Sequence, residues 1–424
     1  MHNCITSATA LAAAASVVAA LAGCSGGGAM QTTPPAQRAL ASNAASHPAA
    51  AFKTVHVFSR AHGSGDGTNP PSDLLDLEGK LYGTTNAGGA NDQGAVFAIT
   101  PAGDEKIVYS FRGGSDGEIP YAGAIAVNGT LYGTTYYGGA SHCQYFYVGC
   151  GIVYSLSPAG TEKVLHRFAG VADGAFPEAA LTSVNGVLYG TTYAGGKTNF
   201  CHNGCGTVFA VTQGGAEKVL HAFSGGNDGA QPYAGLIDVK GVLYGTTSIG
   251  GGSGCTYQMG CGTVFAITPS GTEKVLYRFA GGIDGEQPAA SLIAENGVLY
   301  GTTLFGGGKK GACGTVFRLT LAGTKQKLHT FDQTDGCAPN AKLIDVDGTL
   351  YGTTQGWDSD HGTLFSISTS GVFKKLYSFP GGAGGDTPKS GLTNESGTLF
   401  GTAFYGGSWS GCRNGCGTVF AYTP

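Results

Sequence analysis

Apolar residues in this chain fall in short runs, each bounded by Gly, Asn, Asp or Pro, and the order of runs returns about every fifty residues. The repeat around Leu299 shows the pattern. "SLIAE" from Ser291 is a first strand (A), and Asn296-Gly297 is a hairpin turn. "VLYGTT" is a second strand (B), followed by a Gly-rich loop. "GTVFRLT" from Gly314 is a third (C), and "KQKLHTF", ending at Phe331, is a fourth (D). LYGTT recurs from Leu81, Leu131, Leu188, Leu243, Leu299 and Leu350, and as LFGTA from Leu399. The runs are nearly continuous rather than alternating, which suits sheets covered on both faces.

Four strands per unit and a period near fifty, comparable to that of kelch repeats, predict an all-β fold, a β-propeller with four antiparallel strands per blade. The ends decide between a ring and an open solenoid. "FKTVHVF", residues 52–58, is a D strand with no A, B or C before it. "GTVFAYT", residues 417–423, is a C strand with no D after it. Pairing the two closes a seven-bladed ring over residues 52–424. A solenoid would need polar caps, and none is visible.

Composition agrees. Gly is 76 of 424 residues, more than twice the usual share of about 7%. Aromatics at 10% exclude a disordered Gly-rich chain, and 12% charged residues with net charge -4 and no Lys/Arg run exclude a nucleic-acid binder. Residues 5–23 form an Ala-rich apolar stretch of secretory type, and 24–51 a Gly/Pro/Ala/Ser tether. Leu21-Ala22-Gly23-Cys24 resembles a bacterial lipobox. The resemblance implies signal cleavage before residue 24 and lipid on Cys24, and Ser25 in place of Asp points to the outer membrane. The stretch before it carries His2 but no Lys or Arg, and plain secretion is the alternative. The membrane is thus expected to be met only through the anchor.

The repeats "LYGTTxxGG…GTVFxIT…EKVLYxF" resemble the GloVer tandem-repeat family of exported bacterial proteins across nearly all of residues 52–424. The resemblance implies export and a propeller. It carries no defined activity.

Setting aside Cys4 and Cys24, ten cysteines remain. Eight form local couples in the B–C loops: Cys143/Cys150, Cys201/Cys205, Cys255/Cys261 and Cys412/Cys416. Cys313 in a B–C loop and Cys337 in the following D–A loop complete a fifth. Five disulfides in an oxidising compartment are expected. Zinc is the rival at "CHNGC", which holds His202, but each couple sits on its own blade and a structural site needs four ligands.

Chemistry is less legible. "GGSDG" at Gly113–Gly117 matches a nucleophile-elbow pattern, but sister repeats write GGNDG and GGIDG in the same D–A loop, with no strand-to-helix context. Asp66, Asp116, Asp173, Asp228, Asp284 and Asp335 each stand four residues before a Pro, and Gly384 replaces them in blade 7. Asp-Gly is turn chemistry. Calcium is the sharper reading, although one carboxylate per loop offers few oxygens. No other cofactor is expected. His56, His166, His221 and His329 share a D-strand slot with Tyr109, Tyr277 and Tyr377, which marks it as structural. Asp358, Asp360 and His361, beside Trp357, form a weak metal candidate.

The framework repeats while two slots vary. The residue after each loop Pro is Pro71, Tyr121, Glu178, Tyr233, Ala289, Asn340 or Lys389. The slots after LYGTT hold Tyr136, Tyr137, Tyr193, Phe305, Phe404 and Tyr405, with Trp409 nearby. Aromatics with a few polar groups at a channel mouth suit ligand binding. The expected function is a monomeric binding or scaffold module for a glycan or an envelope protein. The alternatives are a propeller-type polysaccharide lyase or hydrolase, with Glu118, Glu178 and Glu286 as the carboxylates on offer, and a purely structural envelope protein.

Overall fold

The computed structural model describes residues 51–60, 65–139, 143, 148–196, 201–252, 255, 259–308, 312–357, 360–409 and 411–424. The leader, most of the tether, Cys24 and Asp358 lie outside them.

Seven four-stranded antiparallel sheets follow one another in chain order. Blade 1 is Leu75–Leu77, Lys80–Thr85, Ala95–Ile99 and Glu105–Ser110. Blade 7 takes Thr393–Glu395, Thr398–Ala403 and Thr418–Thr423 from the C-terminal end and Ala51–Val57 from the N-terminal end. Ala51 pairs with Thr423 and Val57 with Thr418, so the orphan strands do close the ring. The inner A strands adjoin one another all the way round, blade 7 back to blade 1. They are shorter than the sequence suggests: "SLIAE" contributes only Ile293–Glu295, because Ser291 already belongs to the channel mouth.

What joins blade to blade repeats as faithfully as LYGTT. The Phe that ends each D strand meets edge-on the strand-C ring of the next blade. Examples are Phe58 on Phe97 at 5.2 Å, Phe168 on Phe209 at 5.0 Å and Phe379 on Phe420 at 5.1 Å. All three pairs are fully or nearly fully buried, and such a pair adds about 0.5–1.5 kcal/mol beyond its buried area. The Gly of LYGTT exists for that ring. A Cβ on Gly190 would lie 2.5 Å from Phe209 Cζ, so what approaches closely is the neighbouring strand's aromatic tip.

The first Thr of LYGTT is an inter-blade fastener. Thr84 donates to Ala122 O at 3.2 Å, Thr191 to Ala234 O at 3.0 Å and Thr353 to Ser390 O at 3.0 Å. Thr402 donates to Ser72 O at 3.2 Å and closes the circle. The second Thr works within the blade: Thr192 and Thr207 share a 2.8 Å hydroxyl bond.

The D-strand His/Tyr slot and the D–A loop Asp, which look separate in sequence, are partners. Asp173 accepts from the Ala169 and Gly170 N–H groups and meets His166 at 3.1 Å. Asp116 accepts from Tyr109 Oη at 2.7 Å, and Asp335 meets His329 at 2.8 Å. These carboxylates cap their loops, as turn chemistry requires.

Beside this Asp lies the first residue of the next blade's D strand, and here the seams differ. At four of them it is a glutamate: Glu105 by Asp66, Glu162 by Asp116, Glu217 by Asp173 and Glu273 by Asp228. Burial first, and then the facing aspartate in each case, raises its pKa, to about 7 for Glu105 and Glu162. Between blades 4 and 5 the position is Lys325, whose ammonium pairs with Asp284 at 2.7 Å. At the last two seams rings stack: His329 on Phe373 at 3.9 Å and Tyr377 on Phe52 at 3.8 Å.

Candidate functional site

The D–A and B–C loops share one face and are stitched together by short bridges such as Glu118 to Tyr137 and Asp386 to Tyr405. The residue before each loop Pro sits at positive φ in every repeat: Asn69, Ile119, Phe176, Gln231, Gln287, Ala338 and Thr387, at 54–61°. This conformation is unfavourable for a side-chain-bearing residue, and two backbone bonds hold it. Gln231 N donates to Cys205 O at 2.8 Å, and Gln231 O accepts from Ser248 N at 3.1 Å. Phe176 N donates in the same way to Cys150 O at 2.8 Å. The second cysteine of a loop thus pins the next blade's pre-proline residue, which aims the residue after the Pro into the channel.

All five expected disulfides are present: Cys143–Cys150, Cys201–Cys205, Cys255–Cys261, Cys313–Cys337 and Cys412–Cys416. Both sulfurs of CHNGC are consumed, which removes the zinc reading there.

The channel opens on this face as a cavity of about 580 Å³, within the size range of ligand pockets. Tyr121, Glu178, Tyr233, Asn340 and Lys389 line it, with Pro71, Ala289 and Tyr193. Behind Tyr121 stands Tyr136, ring centroids 5.6 Å apart, and Tyr136 packs on Tyr137 at 4.5 Å and on Phe176 at 5.0 Å. Tyr233 crosses Tyr193 edge-on at 4.9 Å and hydrogen-bonds to it. Lys389 Nζ rides 4.4 Å over the buried Phe404 ring, a cation–π contact.

The carboxyl of Glu178 is the electrostatic centre. It touches the cavity yet is surrounded by protein. That burial pushes its pKa up to about 8, against the Tyr136 hydroxyl hydrogen-bonded to it and the more distant Lys389 ammonium, which both pull it down. Burial raises Tyr121, Tyr193 and Tyr233 as well, with Glu178 adding to each. Burial also lowers Lys389, and Glu178 opposes that shift. On the other wall Lys342 Nζ meets Asp73 at 2.9 Å, and Asp73 also accepts from Gly391 N.

Several expected residues lie elsewhere. Tyr136 and Tyr137 support the wall rather than forming it. Phe305 and Tyr405, one position further along their loops, do not line the cavity: Phe305 tilts against the half-exposed Trp357 at 5.0 Å, and Tyr405 packs on Phe404 at 4.7 Å, behind Tyr121, on which it acts electrostatically. Among the described residues Asp360 and His361 form no metal group. Asp360 caps Gly362 N at 3.0 Å, and His361 Nδ1 meets Asp386 at 3.0 Å. Of the three glutamates, only Glu178 lines the cavity. Glu286 lies beside the Cys255–Cys261 disulfide, and the Glu118 backbone is bridged to Tyr137. Sequence reasoning missed Gln231, Gln287, Asp73 and Lys342, all in the cavity wall. The two glutamines were legible in principle, one step before the varying slot.

Among solved structures the chain is similar to a prolyl endopeptidase (14% identity, 79% of this chain and 46% of that one, TM-score 0.44). It is also similar to a puromycin-hydrolysing peptidase of Mycobacterium tuberculosis (12%, 82% and 52%, TM-score 0.47) and to the aldose sugar dehydrogenase of Streptomyces coelicolor with bound PQQ (12%, 88% and 98%, TM-score 0.43). The chain spans about half the length of the two peptidases. At these scores the likeness carries no argument on activity. A comparison with curated proteins finds no match. The sequence profile of the Gloeobacter/Verrucomicrobia repeat matches residues 44–203, 143–261 and 198–420. With the repeat, its strands and its ring closure in agreement, the chain belongs to the Gloeobacter/Verrucomicrobia repeat family.

Proposed function

We propose that this propeller is an exported binding module that takes a glycan at the mouth of its channel. The observation that carries the reading is the cavity itself: tyrosine faces set at angles to one another, interspersed with Gln231, Gln287, Asn340 and an acid group, on a rigid disulfide-pinned rim. Aromatic faces cover the apolar side of a sugar ring, and amides and hydroxyls pair with its edge. A glycan array probed with the non-reduced chain is expected to give a defined set of sugars. Tyr233→Ala and Tyr193→Ala should each weaken binding about tenfold, a loss of about 1.4 kcal/mol, with unfolding unchanged. Equal binding by the variants would place the ligand elsewhere.

Glu178 supports a second reading, since a carboxyl still protonated near neutral pH can act as a general acid. Glycoside hydrolysis needs a second free carboxylate. The other one in the wall, Asp73, is engaged by Lys342 and Gly391, so binding without turnover is the better-supported reading. Product released from a bound glycan, and abolished by Glu178→Gln, would reverse that order.

The five disulfides fit folding in an oxidising compartment, and among the described residues no helix is long and apolar enough to cross a membrane. In the same proposal Cys24 carries lipid and tethers the propeller at the outer membrane. Cys24→Ser should shift the chain from the membrane fraction to the soluble fraction; retention in the membrane fraction would reject the anchor.

A further inference from the structure

Four charged side chains line the cavity: Asp73, Glu178, Lys342 and Lys389. Asp73 and Lys342 neutralise one another at 2.9 Å. Glu178, enclosed among tyrosines and hydrogen-bonded by Tyr136, makes no ion pair with either lysine among the described residues. Lys389 is left. Among the described residues it makes no ion pair: its ammonium rests on the Phe404 ring, and Glu178 acts on it only at a distance. A partly buried cation without a counter-ion is unfavourable, and an aromatic face offsets only part of that. The mouth therefore holds one uncompensated positive charge, within a chain whose net charge is -4.

The surroundings of Lys389 sharpen the point. The wall offers the amides of Gln231, Gln287 and Asn340 and the acid proton of Glu178. Each can donate a hydrogen bond, so a carboxylate seated on the cation would also find donors around it. A neutral sugar would satisfy the donors with its hydroxyls but leave the ammonium stripped of water. A carboxylate satisfies both.

We infer that the cavity is built for an acidic sugar, with a uronate-type carboxylate seated against the Lys389 ammonium. This rests on the glycan-binding reading and adds the chemical class of the ligand.

The test is calorimetric titration of the full, non-reduced chain with trisaccharides of galacturonate, glucuronate and mannuronate, with the methyl esters of the same sugars, and with their neutral parent trisaccharides. At least one acid is expected to bind ten times or more tighter than its ester. Lys389→Met should erase that ratio, Lys389→Arg should retain it, and Lys218→Met, which removes an exposed cation on an outer strand away from the cavity, should leave it in place. Thermal unfolding of each variant alongside the wild type separates a lost contact from a lost fold, and the Arg variant keeps the test decisive if the Met variant fails to fold. Acids and esters binding alike, neutral sugars binding best, or discrimination surviving Lys389→Met would overturn the carboxylate while leaving the glycan reading standing. No binding by any sugar would overturn both.

Discussion

Replacing Cys313 and Cys337 together with alanine should destabilise the propeller by about 3 kcal/mol, the loop-closure value for a disulfide spanning their separation of 24 residues. The same change at Cys412 and Cys416, separated by 4 residues, should cost about 2 kcal/mol. The difference has a structural side. Cys313–Cys337 ties the B–C loop of blade 5 to the D–A loop leading into blade 6, and Cys337 is followed directly by Ala338, which is held at φ 57°. Two links of that seam, the disulfide and the Ala338 N to Cys313 O bond at 2.8 Å, run from Cys313 to the adjacent residues Cys337 and Ala338. Urea unfolding of the non-reduced variants reads the effect as a shift in midpoint. Equal midpoints for both pairs would show that loop length is not what the disulfides act through.

The second large effect is a loss of stability with rising pH. Glu105 and Glu162 have folded pKa values near 7, against 4.5 for the free side chain, and Glu217 and Glu273 shift in the same direction, burial being the main cause in each. A carboxyl raised in the folded state binds its proton more tightly there than in the unfolded chain. Its contribution is therefore fully present below about pH 4.5 and is lost as pH rises through about 7. Asp228 and Asp284 are lowered and act the other way, but only below about pH 4. Each pKa unit is worth about 1.4 kcal/mol. The glutamates are partly exposed and screened, so about 1 kcal/mol apiece is the sound expectation. The double variant Glu105→Gln, Glu162→Gln should be about 2 kcal/mol more stable than wild type at pH 8 and nearly equal to it at pH 4.5. A parallel pair of stability curves across that range would reject the seam glutamates as the cause.

The fold was legible because each blade repeats one local pattern, and because residues 52–58 and 417–423 are halves of a single blade. The disulfides were legible from spacing, helped by the rule that B–C and D–A loops share a face. The varying slot after the loop Pro pointed to Tyr121, Glu178, Tyr233, Asn340 and Lys389, since equal register places equal positions at the same radius of the ring. What stayed hidden depends on the contact between one blade and the next. Thr84 reaches a carbonyl 38 residues away. Asp116 and Tyr109 look like a turn and a strand position until their side chains meet. Phe305 and Tyr405 were assigned to the site because two adjacent slots were treated as one, although neighbouring residues point in different directions. The positive φ before each Pro leaves no mark in residue type: Asn, Ile, Phe, Gln, Ala and Thr all occupy it.

The seams around the ring are also graded, and this bears on how the molecule would be dismantled. The four Glu–Asp seams are contiguous, from the joint between blades 7 and 1 to that between blades 3 and 4. The remaining three hold Lys325 on Asp284 and the two ring stacks. A closed circle gives way at its weakest arc. Under alkaline stress that arc is the acidic one, while Phe52, stacked on Tyr377, keeps the N-terminal strand fixed to the durable side. What first comes loose is therefore an internal stretch of chain with no free end. A protease that cuts within loops would find a substrate there, and one that trims from the ends would not.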